Sequence, residues 1–128
     1  MVGRKGHPLR GARSLADLAN AQWATTSIDY NADTDLRELF AHHGLPAPTL
    51  SLQVRSAMSL MVGLAYSDLL ALLPIQWKDF PLTQHVLQVI PVVEPLPAPA
   101  IVLMRRPDLP LTPAAEYFVD LLLRHLPE

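Results

Sequence analysis

The segment SAMSLMVGLAYSDLLALLP, residues 56–74, decides the fold, because an apolar helix pattern in it runs directly into an apolar strand pattern. Ser56 is a suitable N-cap, and the residues after it are apolar on nearly every side, which predicts an internal helix pressed against a sheet. Residues 69–73 are too short for a second helix and too apolar for a half-exposed strand, which predicts a central strand covered on both faces. Pro74 ends that strand, since it has no N–H for the ladder.

Two strands are predicted before this segment. Residues 22–27 are rich in β-forming side chains, and one face of this strand would hold Trp23, Thr25 and Ser27. Residues 49–54 alternate strictly between polar and apolar side chains. That period predicts a strand with a single covered face, formed by Leu50, Leu52 and Val54.

Two helices accompany these strands. Ser14 is placed to cap a short helix over residues 15–20. Asp33 is a suitable cap for an amphipathic helix over residues 34–43, and Gly44 is placed to end that helix in a left-handed conformation. The helix over residues 34–43 would be an amphipathic surface helix.

The composition changes in the last third of the chain. Residues 75–80 predict a short helix, and residues 86–93 predict a strand that Pro91 interrupts. Prolines then crowd residues 91–99, which favours an extended, stiff connector. We interpret this connector as the main domain seam.

A strand and a helix are predicted beyond the connector. Residues 100–106 form an apolar strand pattern, and Thr112 with Pro113 begins a final helix. One face of that helix is apolar and comprises Ala115, Phe118, Val119, Leu122 and Leu126.

Length, composition and charge limit the class of protein. The 128 residues suffice for a small domain with its own core. Cysteine is absent, which removes disulfides, Cys-based zinc sites and thiol nucleophiles, and we expect a cytoplasmic protein. The net charge of -2 provides no general attraction to nucleic acid. Asp68 and Pro74 interrupt the long apolar run, which argues against a membrane span.

Catalytic and metal-binding patterns are weak. Ser67, Asp68 and His85 supply the residue types of a triad, but no nucleophile elbow surrounds the serine, so we do not expect an enzyme. His42 and His43 are adjacent on a helix and should point in different directions, so we expect no metal site and no cofactor.

Five pieces of the sequence resemble, in order and spacing, the C-terminal half of LysR-type transcriptional regulators. They are GRKGHPL (3–9), SLADLANAQW (14–23), HHGLPAP (42–48), residues 56–74 and IVLMRRPDLPLTPAAEYFVDLLL (101–123). No single piece is specific, but together they cover nearly the whole chain. The resemblance implies an effector-binding domain with an α/β fold: a periplasmic binding protein type 2 like lobe (three-layer α/β/α, mixed sheet) with a partial second lobe.

The same resemblance implies a division of the chain. Residues 14–93 would form the second lobe, residues 1–13 a first-lobe strand and crossover, and residues 94–128 a crossover, first-lobe strand and C-terminal helix. The family's DNA-binding helix-turn-helix and most of its first lobe have no counterpart, so we expect a fragment that does not bind DNA alone. The parent regulator would be a homo-oligomer.

The predicted effector site follows from where the strands end. In open α/β layers, ligands bind beyond the carboxyl ends of the strands, where helix N-termini expose N–H groups. Hydroxyl groups beside a helix N-terminus suit a small organic anion, such as a carboxylate or sulfonate. The residues expected at this edge are Thr25, Thr26, Ser27, Ser56, Ala57 and Met58. The alternative is that Ser56 only caps its helix and the threonines only satisfy strand ends.

Ser67 and Asp68 belong to the same predicted site through the resemblance. The family usually has Gly-x-Gly where this chain has Ser67-Asp68-Leu69, and the matching position lies near the ligand in some members. The resemblance therefore implies that Asp68 lines the cleft, where a carboxylate would favour an effector with a donor or positive group. The alternative is ordinary turn chemistry.

The resemblance also implies antiparallel pairing of two domains through the helix over residues 34–43 and the strand over residues 49–54. The residues expected at this interface are Arg37, Phe40, Ala41, Leu50, Ser51, Leu52 and Gln53. An ordinary solvated sheet edge is the alternative. The sequence thus predicts an effector-sensing fragment of a transcription regulator, and a small-solute-binding module unrelated to transcription is the alternative function.

Overall fold

The chain divides into two units, Met1–Ala98 and Pro99–Glu128, in a computed structural model that describes residues 1–26, 32–97 and 102–125. Short 3-10 helices occur at Ala16–Leu18 and Ile75–Asp79. The other elements follow one another as β1 (Val2–Arg4), β2 (Gln22–Thr26), α1 (Ala32–His42), β3 (Thr49–Val54), α2 (Ala57–Ala65), β4 (Leu69–Leu70), β5 (Leu87–Val89) and α3 (Pro113–His125).

The first unit contains a mixed sheet. β2 lies between β3 and β4 and runs parallel to both, whereas β1 and β5 form an antiparallel pair. Two backbone hydrogen bonds of 2.9 Å between Val2 and Ala71 join the pair to the edge of β4. The predicted strand over residues 69–73 is therefore shorter than expected, but Leu70 and Ala71 are buried between β2 and β1.

Helices cover both faces of this sheet. On one face, the rings of Trp23 and Phe40 meet edge to face, with centroids 5.6 Å apart, so α1 packs on β2. On the other face, Ala24 of β2 lies in a cluster with Leu60 and Leu64 of α2. Adjacent residues of a strand point to opposite faces, which gives the predicted three-layer α/β/α arrangement.

An irregularity in β3 changes which layer its side chains enter. Trp23 pairs with Leu50 and Ala24 pairs with Leu52, so the register skips Ser51. An extra residue of this kind is a β-bulge. Leu50 consequently packs against the cluster that contains Trp23, whereas Leu52 joins the cluster that contains Ala24. The strand bounds were predicted correctly, but a single covered face was wrong.

α2 occupies its predicted position without being internal. Leu60, Met61 and Leu64 are buried, but Met58 and Val62 are exposed. The helix therefore buries a single face against the sheet, although it contains no charged residue. Ser56 is the N-cap residue, yet its side chain makes no capping hydrogen bond, so the predicted cap interaction was wrong.

α1 ends as predicted but begins differently. Gly44 adopts a φ of 67°, the left-handed conformation that glycine accepts without strain. The N–H of Leu45 donates to the carbonyl of Phe40, and the N–H of Gly44 donates to that of Ala41, which is a Schellman arrangement. Asp33 lies inside the first turn rather than at the cap, so that expectation was wrong.

The short helix after Ser14 is a 3-10 helix held by reciprocal hydrogen bonds. The Ser14 hydroxyl accepts from the N–H of Asp17, and the Asp17 carboxylate accepts from the N–H groups of Arg13 (2.9 Å) and Ser14 (3.0 Å). The bond from the Arg13 N–H contributes most to lowering the pKa of Asp17 below its ordinary value of 3.8, and the bonds from Ser14 add to it.

This lowered pKa predicts a pH dependence of stability. A carboxyl group whose pKa is lower in the folded state stabilises the fold above its unfolded pKa, and that contribution is lost as the pH falls through the folded pKa. We expect an Asp17→Asn variant to lose this component, so its unfolding free energy should depend less on pH below about pH 5. Chemical denaturation at a series of pH values measures the slope. Equal slopes in the two proteins would contradict the expectation.

The proline-rich connector begins inside the first unit. The N–H of Val93 donates to the carbonyl of Arg13 at 2.9 Å, and Glu94 Oε1 accepts from the N–H of Leu15 at 3.0 Å. Val92 and Leu96 pack against the Trp23 cluster. Residues 91–97 are therefore fastened to the first unit, and the boundary falls after Ala98.

The second unit departs partly from expectation. Residues 102–106 form no strand, and Val102, Leu103 and Met104 are exposed, so the predicted strand was wrong where it is described. Ala100 and Ile101 lie outside the described residues. α3 begins at Pro113 as predicted, and the Thr112 hydroxyl accepts from the N–H of Ala115. Among the described residues, no helix has both the length and the apolarity needed to cross a membrane.

Candidate functional site

The carboxyl ends of β2 and β3 lie side by side, and we call this end of the sheet the carboxyl edge. Thr25 pairs with Gln53 and Thr26 pairs with Val54, after which Arg55 and Ser56 lead into α2. Because the strands are parallel, their carboxyl ends and the N-terminus of α2 share this edge. The structure thus brings Thr26 to the same edge as Ser56, Ala57 and Met58. Ser27 lies outside the described residues.

The N-terminus of α2 has unused hydrogen-bond donors. The first helical bond runs from the N–H of Leu60 to the carbonyl of Ser56, at 3.0 Å. The N–H groups of Ala57, Met58 and Ser59 have no partner within the described part of the chain, as expected for the first turn of a helix. The Ser56 hydroxyl does not cap the helix. Together with the three N–H groups, it gives four donors beside the positive end of the helix dipole.

The two threonines of β2 face different layers. Thr26 shares the α2 face with Ala24, and Thr25 shares the α1 face with Trp23. Thr25 is buried, and its Oγ1 has no hydrogen-bond partner among the described residues. The edge therefore offers Thr26 and the α2 N-terminus on one side of the sheet, with Thr25 on the other.

Ser67 and Asp68 lie at the opposite end of the sheet, beside the amino ends of the parallel strands. Leu69 pairs with Gln22 at the start of β2, so the two residues before it stand beyond the amino ends of the parallel strands. At about 3.3 Å per residue, roughly 16 Å of strand separates Asp68 from the level of Thr26. The structure does not bring these two residues together with the other predicted effector contacts.

Hydrogen bonds already engage both of these residues. Arg4 Nε and Nη2 contact Asp68 Oδ1 at 2.8 and 2.7 Å. The Ser67 hydroxyl donates to the carbonyl of Gly63 and accepts from the N–H of Leu69. The Ser67 contacts match the turn chemistry that the sequence offered as the alternative, whereas the Asp68 carboxylate pairs with a residue distant in sequence.

His7 joins the same edge and was not identified by sequence. Its imidazole is buried, its Nδ1 accepts from the N–H of Leu9 at 3.0 Å, and its Nε2 lies 3.1 Å from the carbonyl of Asp68. These partners fix the tautomer with the proton on Nε2, so that Nε2 donates. The ring borders a surface depression of about 420 Å³. The only sequence signal was the GHPL piece of the family resemblance, which carried no contact information.

Only part of the predicted dimer surface is exposed. Arg37, Ala41, Ser51 and Gln53 are exposed, and β3 forms an edge of its sheet. Leu50 and Leu52 are half-buried. Phe40, however, is 0% exposed because it fills the core against Trp23, so its assignment to an interface was wrong.

The adjacent histidines contact one another rather than diverging. Their rings meet edge to face with centroids 5.2 Å apart, because His43 follows the end of α1 instead of continuing the helix. Among the described residues, no three side chains of metal-ligating type come together.

Comparison with known families agrees with this architecture. A family model described as the LysR substrate binding domain matches residues 1–127 of the 128 residues. That family has a periplasmic-binding-protein-type-2-like α/β fold, consistent with the mixed sheet and its two helical layers. The match extends across both units and includes β1, the candidate edge and α3. The chain therefore belongs to the LysR substrate-binding domain family of transcription regulators.

Proposed function

We propose that this domain binds a small organic anion at the edge formed by Thr26, Ser56 and the N-terminus of α2, as the sensory part of a LysR-type regulator. The family connects the domain with effector sensing and with regulators rather than enzymes. The observation that carries the site is the first turn of α2, where three N–H groups have no partner among the described residues and the neighbouring serine does not cap them.

The charge around this edge favours an anion. α2 has no acidic residue in its first turn, and the dipole places partial positive charge at its N-terminus. Arg55, immediately before Ser56, is exposed. A carboxylate or sulfonate would accept hydrogen bonds from the backbone, while Met58 offers apolar contact. Ser67 and Asp68 are left out of this proposed site, because they occupy the opposite edge and Arg4 binds the carboxylate.

Ala57→Pro and Ser56→Ala should each weaken effector binding about tenfold or more. Each removes one donor to a charged acceptor, and such bonds contribute about 1.5–3 kcal/mol. Proline is well accepted at the first helical position, so Ala57→Pro deletes an N–H without breaking α2. A thermal-shift screen of small carboxylates and sulfonates identifies a ligand, and calorimetric titration then compares the variants.

Ser59→Ala provides the matched control, since it keeps the Ser59 N–H and changes an exposed side chain on the same helix. Its affinity should equal that of the wild type. Unchanged affinity in both Ser56→Ala and Ala57→Pro would place the ligand elsewhere. Binding of an uncharged amide analogue as tight as that of the carboxylate would contradict the anion preference.

The proposal includes the wider context of the domain. We propose homodimer formation through the edge of β3 and the exposed side of α1, where Arg37, Ala41, Ser51 and Gln53 are accessible. Contact with DNA would belong to a helix-turn-helix domain of the whole regulator. Since a transcription regulator acts where the DNA is, we expect it in the cytoplasm.

A further inference from the structure

The outer face of α2 carries a row of exposed apolar side chains. Met58 and Val62 of α2 and the C-cap residue Tyr66 follow one another at intervals of four residues and are 54%, 52% and 88% exposed. Side chains at this spacing lie on one face of a helix. No charged residue interrupts the helix, whose opposite face is buried on the sheet. Exposed apolar side chains that lie together on one face form a candidate interaction surface.

Opposite charges stand at the two ends of this row. Arg55 precedes α2, is exposed, and makes no ion pair or hydrogen bond within the described residues. Asp68 follows α2 and is 57% exposed, and both of its contacts from Arg4 go to Oδ1. Within the described part of the chain its Oδ2 makes no hydrogen bond, so it can accept from a second cation.

We propose that the α2 face binds a second copy of this chain, with the two α2 helices antiparallel about a twofold axis at Val62. In this arrangement each Met58 lies opposite the partner's Tyr66, a sulfur–aromatic contact, and the two Val62 side chains meet at the axis. Each Arg55 then reaches the region of the partner's Asp68. The antiparallel direction also opposes the two helix dipoles.

The charge pattern makes this surface complementary to an antiparallel copy of itself. An antiparallel copy places both cations near carboxylates, whereas a parallel copy would oppose Arg55 with Arg55 and Asp68 with Asp68. The surface lies on the outside of α2 and does not use the edge of β3, so it is separate from the interface proposed above. It shares Arg55 and Met58 with the proposed effector site, so self-association is measured without effector.

Cysteine crosslinking tests the axis directly, because the native chain contains no cysteine. A disulfide requires Cα atoms within about 7 Å, which Val62→Cys meets at the proposed axis. Ser59→Cys is the matched control on the same helix, since its two copies would be displaced by about 9 Å along the axis at 1.5 Å per residue. We expect at least tenfold faster disulfide dimerisation of the full chain with Cys at position 62 than at position 59.

Sedimentation equilibrium gives a second, independent measurement. Val62→Glu places two carboxylates at the axis, and Arg55→Glu places a carboxylate near the partner's Asp68. We expect each variant to weaken self-association at least fivefold, with an unchanged circular dichroism spectrum.

Several results would overturn the proposal. These are a wild-type chain that stays monomeric at all concentrations, equal crosslinking rates at positions 62 and 59, and unaltered association of Arg55→Glu. Ser51→Cys reports on the β3 edge. Rapid crosslinking there without crosslinking at position 62 would assign the dimer to that edge and exclude the α2 face.

Discussion

Phe40→Ala is expected to lower the free energy of unfolding by about 3–5 kcal/mol, the range for deleting a buried aromatic side chain. Phe40 has no exposed surface, and its ring stands at 83° to that of Trp23. Leu36 and Leu39 belong to the same cluster, so the loss of the ring would leave a cavity between α1 and the sheet. Denaturation followed by tryptophan fluorescence measures the change.

The same substitution at an exposed site provides the control. Phe118 is 59% exposed on α3, and Phe118→Ala should change the stability by less than about 0.5 kcal/mol. The pair of variants also distinguishes a core role from an interface role for Phe40. A variant with normal stability but weaker dimerisation would contradict this core role.

His7→Ala is expected to cost about 3 kcal/mol of stability. The substitution removes the partners of the N–H of Leu9 and the carbonyl of Asp68, and each of these part-buried hydrogen bonds contributes about 0.5–1.5 kcal/mol. It also removes the volume of a ring that is 1% exposed. Chemical denaturation measures the loss.

Two conservative variants separate the hydrogen bonds of His7. His7→Asn keeps an acceptor near the position of Nδ1 for the N–H of Leu9, and His7→Gln keeps a donor near the position of Nε2 for the carbonyl of Asp68. Each should recover part of the stability lost in His7→Ala.

Arg4→Ala tests the neighbouring ion pair. Its side chain is 33% exposed, so the pair should contribute at most about 1 kcal/mol. If His7→Ala lowers the stability no more than Arg4→Ala does, then the buried imidazole does not hold β1 to the turn before β4.

Elements with a strong local signal were predicted well. The strict alternation over residues 49–54 gives the bounds of β3, and the glycine at position 44 marks the end of α1. Thr112 and Pro113 begin α3 as expected, since the hydroxyl and the missing N–H act within one turn of the chain. Such signals survive because they depend on neighbours a few residues away.

Elements that depend on a partner were predicted less well. Residues 102–104 are apolar, as in a buried strand, but they pair with no strand in the described part of the chain. β5 keeps three of the eight residues expected, Leu87–Val89, since only these pair with β1. Hydrophobic patterns specify what could be buried, whereas the ladder requires a partner at the right place.

In the candidate site too, local features were predicted and contacts between distant residues were not. The order of strand, serine and helix placed Ser56, Ala57 and Met58 at a helix N-terminus, and the structure agrees. The sequence could not show that Asp68 lies at the far edge, because that depends on β4 running parallel to β2. It also could not show the contact between Arg4 and Asp68, which are 64 residues apart.

By itself, the sequence determined the helix and strand in residues 56–74, the apolar character of α2 and the family to which the chain belongs. Only the tertiary structure decided which side of α2 is covered, which layer receives Leu50 and which edge receives Asp68. Periodicity and capping act over a few residues and can therefore be recognised in the sequence. Strand order, the bulge at Ser51 and the burial of Phe40 arise from contacts between distant segments, and no local pattern encodes them.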